Sequence, residues 1–425
     1  MKKLTIIGDI MCEPPVFRQA AKEDGTYDFL PAFTHLKPLL SEADYVIGNL
    51  ETPLAGESLG YTTRLVSFNA PDSLAEMCRE IGVDMVSTAN NHACDRGNEG
   101  IRNTLEALDR IGLAHTGTFV NYKKDDPSRI FYFELGGAKI ALIAYTYGTN
   151  YGINGNEPDE AAGIHVNYLR PCTAKEPLGT RNFPESYRKV LAVMEKFAGR
   201  KPLWEDEVDV RNALGISNAY ADDCLFPEIS EECLENVKAD YEEARKNADY
   251  VFILPHMGGQ FNVKPGAFSN YMMHEFVKMG FDGVFAAHSH TLQQAKIQEG
   301  KPCYWSLGNV SMAPFSPYAV RETLPEFAVA AHIYIEEGKI VKNTFSLTKI
   351  IEEENGLITV YPVEDLYRRY VEAGKEEVAA PGFAAEAEVK VTGAEASEIL
   401  YEEAEEIYRR VTGRDFPGIK HEYEL

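Results

Sequence analysis

A chain of 425 residues with 44% hydrophobic and 25% charged residues has the composition of a globular protein and can bury a large core. Its 66 acidic residues against 42 basic ones give a formal charge of −24, which repels a polyphosphate backbone and argues against a nucleic-acid partner. A small anionic or polymeric substrate stays open where cations sit in a site.

The N-terminal run "LTIIGDIM" (4–11) is broken at Asp9 and is read as the first strand, not as a leader. Four later stretches have the same shape: "EADYVIGNLE" (42–51), "GVDMVSTANNH" (82–92), "NADYVFILPHMGG" (247–259) and "GFDGVFAAHSH" (280–290). Each is a short run rich in Val, Ile or Phe behind a polar lead-in, and each ends in Asp, Asn, Glu or His. Helices fit between them at 71–82, 98–112, 230–248 and 269–280, with apolar residues at helical spacing and Gly or Asn at the boundaries. Strands alternating with helices predict an α/β sheet with much parallel pairing, whose ligands bind beyond the carboxyl ends of the strands.

Residues from about 150 to 230, rich in Asn, Pro, Gly and Glu, are read as an insertion on the loop side, with one helical patch at 184–199. After 320 the texture turns to strands. Residues 326–350 read as a hairpin through "EEGK", and "GLITVYPV" (356–363) follows. The tail, 364–425, carries two amphipathic helices, at 363–374 and 393–413, suited to packing on the domain or on a second copy of the chain. No stretch reaches the length of a membrane span. Seven cysteines (12, 78, 94, 172, 224, 233 and 303) are scattered without CxxC spacing, which suits reduced thiols and a cytoplasmic location.

The polar residues at the strand ends are Asp9, Asn49, Glu51, Asn90, Asn91, His92, Asp95, His256, His288 and His290. His288 and His290, read as alternate residues of one strand, would point to the same face. Oxygen and imidazole donors without cysteine suit Mn, Zn or Fe. They are too many for one ion, and two ions bridged by a carboxylate would use them all.

As an ordered set, "GDIM", "GNLETP", "NNHACDRG", "PHMGGQF", "HSHTLQ" and "SLGN" resemble the motifs of the CapA/PgsA-type poly-γ-glutamate capsule biosynthesis proteins, a family of the calcineurin-like metallophosphoesterase fold, over about residues 1–315. The resemblance implies a four-layer α-β-β-α sandwich of metallophosphoesterase type, a core domain over 1–363 and a helical extension over 364–425. It implies a first cation on Asp9 and His290, a second on Asn91, His256 and His288, and Glu51 as the bridge. His92 would be the acid for the leaving group and Asp95 its orienting partner. Asn49, Asn90 and Asn309 would line the substrate side. Met11 stands where the wider superfamily carries a His, and a thioether is a poor ligand for a hard cation.

The resulting expectation is a metal-dependent hydrolase acting on a phosphoester or a γ-glutamyl amide. The alternatives are a non-catalytic accessory protein that binds an anionic polymer, and a scaffold that assembles through its acidic tail.

Overall fold

The computed structural model describes residues 1–62, 67–123, 129–150, 154–169, 222, 227–313, 316, 319–381 and 390–425. The helical patch expected at 184–199, and with it most of the expected insertion, lies outside them. In chain order β1 (Lys2–Ile10), β2 (Tyr45–Leu50), β3 (Met85–Ser87) and β4 (Ala114–Thr116) come first, with helices between them. The two-residue strand β5 (Thr118–Phe119) precedes a hairpin of β6 (Phe131–Leu135) and β7 (Ala138–Thr146), and β8 (His165–Val166) pairs back onto β5. Then follow β9 (Tyr250–His256), β10 (Gly283–Phe285), β11 (Ala295–Gln298), β12 (Lys301–Tyr304), β13 (Asn309–Ser311), β14 (Phe327–Glu336), β15 (Lys339–Glu352) and β16 (Ile358–Pro362). The tail adds β17 (Glu377–Ala379), β18 (Lys390–Thr392) and β19 (Tyr423–Glu424).

Two sheets result. One has the order β16-β15-β14-β1-β2-β3-β4, with β13 beside β1 and β19 beside β15. The other has the order β11-β12-β10-β9-β7-β6. In both, the central strands are parallel, so their carboxyl ends gather along one edge. Side chains alternate between two cores. Ile140, Leu142 and Ala144 of β7 meet Leu4, Ile6, Ile47 and Met85 between the sheets. Ala141, Ile143 and Tyr145 face the helices Pro227–Asn247 and Ala267–Met279 on the outside. The outer face of the first sheet, through Val46, Leu50 and Val86, is covered by the helices of residues 14–111. The architecture is therefore helix, sheet, sheet, helix.

The helix Gly97–Ile111 illustrates the local cause. It buries Ile101, Leu105 and Leu108 on one stripe and ends at Gly112, whose left-handed φ of 72° caps the last turn. The tail helix Gly393–Thr412 starts at a capping box between Thr392 and Glu395. Its Leu400, Ala404, Ile407 and Val411 join the core between the sheets, alongside Leu366 and Tyr370 of the helix Val363–Ala373.

One local expectation is corrected. His288 and His290 do not lie on a strand: β10 ends at Phe285, and both histidines sit in the following loop with positive φ, 103° and 51°. Asn309 opens β13. The β6–β7 hairpin was not anticipated from the sequence, although the Gly136-Gly137 turn marks it.

Candidate metal centre

The first sheet brings Asp9, Asn49 and Glu51 to its edge through a backbone irregularity. The register of β1 shifts between Ile6 and Asp9, and Asp9 N donates to Gly308 O at 3.0 Å. Only glycine fits at position 8, because a Cβ there would stand 2.0 Å from Gly308 O. Asn91, His92 and Asp95 follow β3 in a tight turn, His256 ends β9, and the His288–His290 loop follows β10. All of these side chains are buried.

Around His256 Nε2, Asn91 Oδ1 lies at 2.7 Å, His288 Nδ1 at 3.1 Å and Glu51 Oε1 at 3.3 Å. Around Glu51 Oε1, His290 Nε2 lies at 3.6 Å and His92 Nε2 at 3.9 Å. Two groups could each hold a cation: Glu51 with His256 and His288, and Asp9 with Glu51 and His290. Glu51 belongs to both. Ligands at about 2.1 Å from one ion lie roughly 3–3.5 Å from each other, which is the spacing of these donors.

The fit of a cation is tested by Glu51. Its carboxylate is fully buried, and neither oxygen has a hydrogen-bond partner among the described residues. Such a group is strongly disfavoured unless a charge compensates it. The donor set of imidazole, amide and carboxylate fits Mn, Zn or Fe.

The remaining polar groups hold these donors. Asn49 Nδ2 donates to Asp9 Oδ1 at 2.7 Å and lies 3.2 Å from His256 Nδ1. Asn90 Nδ2 donates to Leu50 O, and its Oδ1 accepts from His92 N. Asn309 Oδ1 lies 2.9 Å from His290 Nδ1, while its Nδ2 donates to His290 O and Pro325 O. The amides of Asn49, Asn90 and Asn309 thus engage the centre's own residues. His92 Nδ1 meets Asp95 Oδ2 at 2.6 Å, so its Nε2 faces the Glu51 side. Met11 is buried in the apolar cluster beneath the outer helices, which leaves the Asp9 group without a fourth side-chain donor at that position.

The electrostatics follow from this packing. Burial works against a charged Asp9, but His290, His256 and the Asn49 amide outweigh it and hold the carboxyl below its ordinary range. Burial also disfavours charged imidazoles. Against it, Asp95 and then Glu51 hold His92 above its usual value, and Glu51 and Asp9 bring His290 up to about 9.

Residues not singled out in the sequence frame the centre. Phe68 stacks on His92 at 4.2 Å between ring centroids, Tyr147 lies 4.4 Å from His288, and Phe261 lies 5.9 Å from His290. Asn150 Oδ1 accepts from Asn91 Nδ2, and Asn154 Nδ2 donates to Asp95 Oδ1. The run "YTYGTN" (145–150), which closes β7 and continues past it, was the available signal, since polar and aromatic residues at the carboxyl end of a parallel strand mark a ligand edge.

Comparison with known proteins places this geometry among relatives. The family model described as bacterial capsule synthesis protein PGA_cap matches residues 3–313. The chain is 23% identical over 309 residues to the capsule biosynthesis protein CapA of Bacillus anthracis, covering 72% of this chain and 58% of that protein. It is 21% identical over 306 residues to the PGA biosynthesis protein CapA of Bacillus subtilis, covering 72% and 62%. The chain therefore spans about three fifths of the length of these curated relatives. Among solved structures, a putative 5'-nucleotidase of Staphylococcus aureus in complex with alpha-ketoglutarate aligns with a TM-score of 0.40 at 12% identity, over 85% of this chain and 52% of that one. TT1561 of Thermus thermophilus aligns with a TM-score of 0.36 at 12% identity, over 78% and 93%.

Proposed function

Because the chain belongs to the bacterial capsule synthesis protein PGA_cap family, we propose that it is a metal-dependent hydrolase related to capsule polymer metabolism, acting on a phosphoester or a γ-glutamyl amide. The observation that carries the reading is Glu51, a buried carboxylate without a hydrogen-bond partner among the described residues, set between two groups of imidazole and carboxylate donors. Asp9, Glu51 and His290 would hold one divalent cation, and Glu51, Asn91, His256 and His288 the other. Cations bound there supply Lewis acidity and lower the pKa of a bound water toward neutrality.

The chain's own residues do the rest. Asp95 fixes the His92 ring through Nδ1 and turns Nε2 toward the centre. From that position Nε2 can give a proton to the departing oxygen or nitrogen. Asn49 and Asn309 keep Asp9 and His290 aimed inward. Phe68, Tyr147 and Phe261 place aromatic surface beside His92, His288 and His290, which limits the water around the reacting group.

A second reading, a non-catalytic protein that binds an anionic polymer through one cation, is favoured by Met11, whose side chain lies in the apolar cluster. Elemental analysis after purification without chelators separates the two: about two equivalents of Mn, Fe or Zn support hydrolysis, and one or none supports binding. A screen of phosphomonoesters, phosphodiesters and γ-glutamyl peptides with added Mn²⁺ then tests the reaction. No turnover of any class by a fully loaded chain would remove the hydrolase reading.

A further inference from the structure

The family match ends at residue 313, yet the tail helix Gly393–Thr412 reaches back to the metal loop. Arg410 Nη1 donates to Thr291 Oγ1 at 3.2 Å and also to Thr323 O. Thr291 directly follows His290, and its hydroxyl donates to the same Thr323 carbonyl at 2.6 Å. Two turns upstream on the helix, Glu403 pairs with the buried Lys349, which also pairs with Glu326, both at 2.9 Å. The helix therefore grips the segment 323–326 at both ends. That segment in turn accepts from Asn309 Nδ2 through Pro325 O, and Asn309 Oδ1 takes the Nδ1 side of His290. The chain of contacts runs from Arg410 through Thr291, Thr323 and Asn309 to one imidazole.

The His290 backbone needs such a hold. A β-carbon residue with φ of 51° is in the left-handed region, and His288 two residues earlier is at 103°. Conformations of this kind are strained and persist where surrounding contacts over-determine them. With Nδ1 turned to Asn309, Nε2 is the nitrogen left to face Glu51.

We infer that Arg410 is a positioning residue of the metal centre: the C-terminal helix, outside the part shared with the family, braces the Thr291–Thr323 contact and so aims His290 at the cation held with Asp9 and Glu51. The inference rests on the two-cation reading and concerns only the His290 group. Because Arg410 touches no donor, its effect is confined to geometry.

The test is Mn²⁺ titration of the full chain by calorimetry, with Arg410→Met compared to Arg409→Met on the same helix. Arg409 is exposed, and among the described residues its ion pair is with Glu405 of the same helix. Wild type and Arg409→Met are expected to bind two equivalents alike. In Arg410→Met one equivalent weakens by about 10- to 100-fold, the range for loss of a group that orients a ligand, and the other keeps its affinity. His290→Ala removes the same equivalent, and adding Arg410→Met to it changes the remaining one no further. Should Arg410→Met fail to fold, Arg410→Lys keeps the stem and charge and is expected to weaken the same equivalent by less. Unchanged binding of both equivalents, or equal weakening of both, overturns the brace. A wild type that takes up no Mn²⁺ refutes the metal-centre reading itself, a result distinct from either.

Discussion

His256 and His288 face each other nitrogen to nitrogen, with Nε2 of one 3.1 Å from Nδ1 of the other. His256 ends β9 and His288 lies in the loop after the neighbouring β10, and Asn91, after β3 of the opposite sheet, comes to 2.7 Å of the same His256 nitrogen. Two imidazoles and an amide oxygen at such spacing could hold one cation. His256→Ala and His288→Ala are each expected to lose one equivalent of bound metal while keeping the wild-type circular dichroism, since one side chain stands at the end of β9 and the other in the loop after β10. Metal content equal to wild type in both variants sinks the assignment.

His92 and its neighbour Asn91 are expected to separate in function. Asn91→Ala loses metal. His92→Asn keeps both cations but loses rate by on the order of 10²–10⁴ on substrates with poor leaving groups, and much less on activated aryl esters, which need no proton. If His92 only packs on Phe68, the same variant lowers the melting temperature and slows both substrate types alike. Metal content, melting temperature and the two rates, measured in one variant, decide.

Lys349 is fully buried between Glu326 and Glu403 and lies over the Phe327 ring. Lys349→Met leaves the Glu326 carboxylate buried without its partner, which is expected to destabilise the fold by about 3–5 kcal/mol in urea titration. The double variant with Glu326→Gln is expected to recover most of that loss. A single variant within about 1 kcal/mol of wild type would show that the ion cluster does not hold the tail to the sheet.

Acid sensitivity is expected from His332, on β14. Burial, reinforced by Lys3, pushes its pKa down to about 3, and it bonds Thr5 and Ser346 as a neutral ring. Lys3, Lys342, His421 and Glu422 are the charged or titratable groups that act on it. In the unfolded chain the ring titrates near 6.5, so the unfolded state binds the extra proton first. The stability tied to neutral His332 is therefore complete above about pH 6.5 and declines as pH falls from there toward 3, by a few kcal/mol in all, on the order expected for such a shift. His332→Gln is expected to flatten the unfolding free energy over that window. An unchanged slope between pH 6.5 and 4 contradicts this account.

The residue pattern made the ends of β1, β2, β3 and β9 legible, because short apolar runs broken by Asp, Asn, Glu or His mark where parallel strands meet their ligand edge. The His288–His290 loop was legible as chemistry but not as geometry. Alternation on a strand is the default for H-x-H, whereas the observed φ values depend on contacts with Asp9, Asn309 and Thr291 from distant segments. The β6–β7 hairpin escaped because the strong apolar run of β7 carries no chemistry-bearing residue at its end other than Thr146. The Arg410 contact escaped for a different reason: 119 residues separate it from Thr291, and nothing local distinguishes it from the arginine before it.

The donors divide evenly across the seam between the sheets. Asp9, Glu51 and Asn91 ride on one sheet, and His256, His288 and His290 on the other. A slide of one sheet over the other would alter the Asn91–His256, Glu51–His256 and Glu51–His290 separations together, while leaving His256–His288 nearly fixed. The centre is thus a vernier between two plates: small shear at the interface, from a repacked core or a partner seated on an outer helix layer, is read out as a change in how well six side chains agree on a common point.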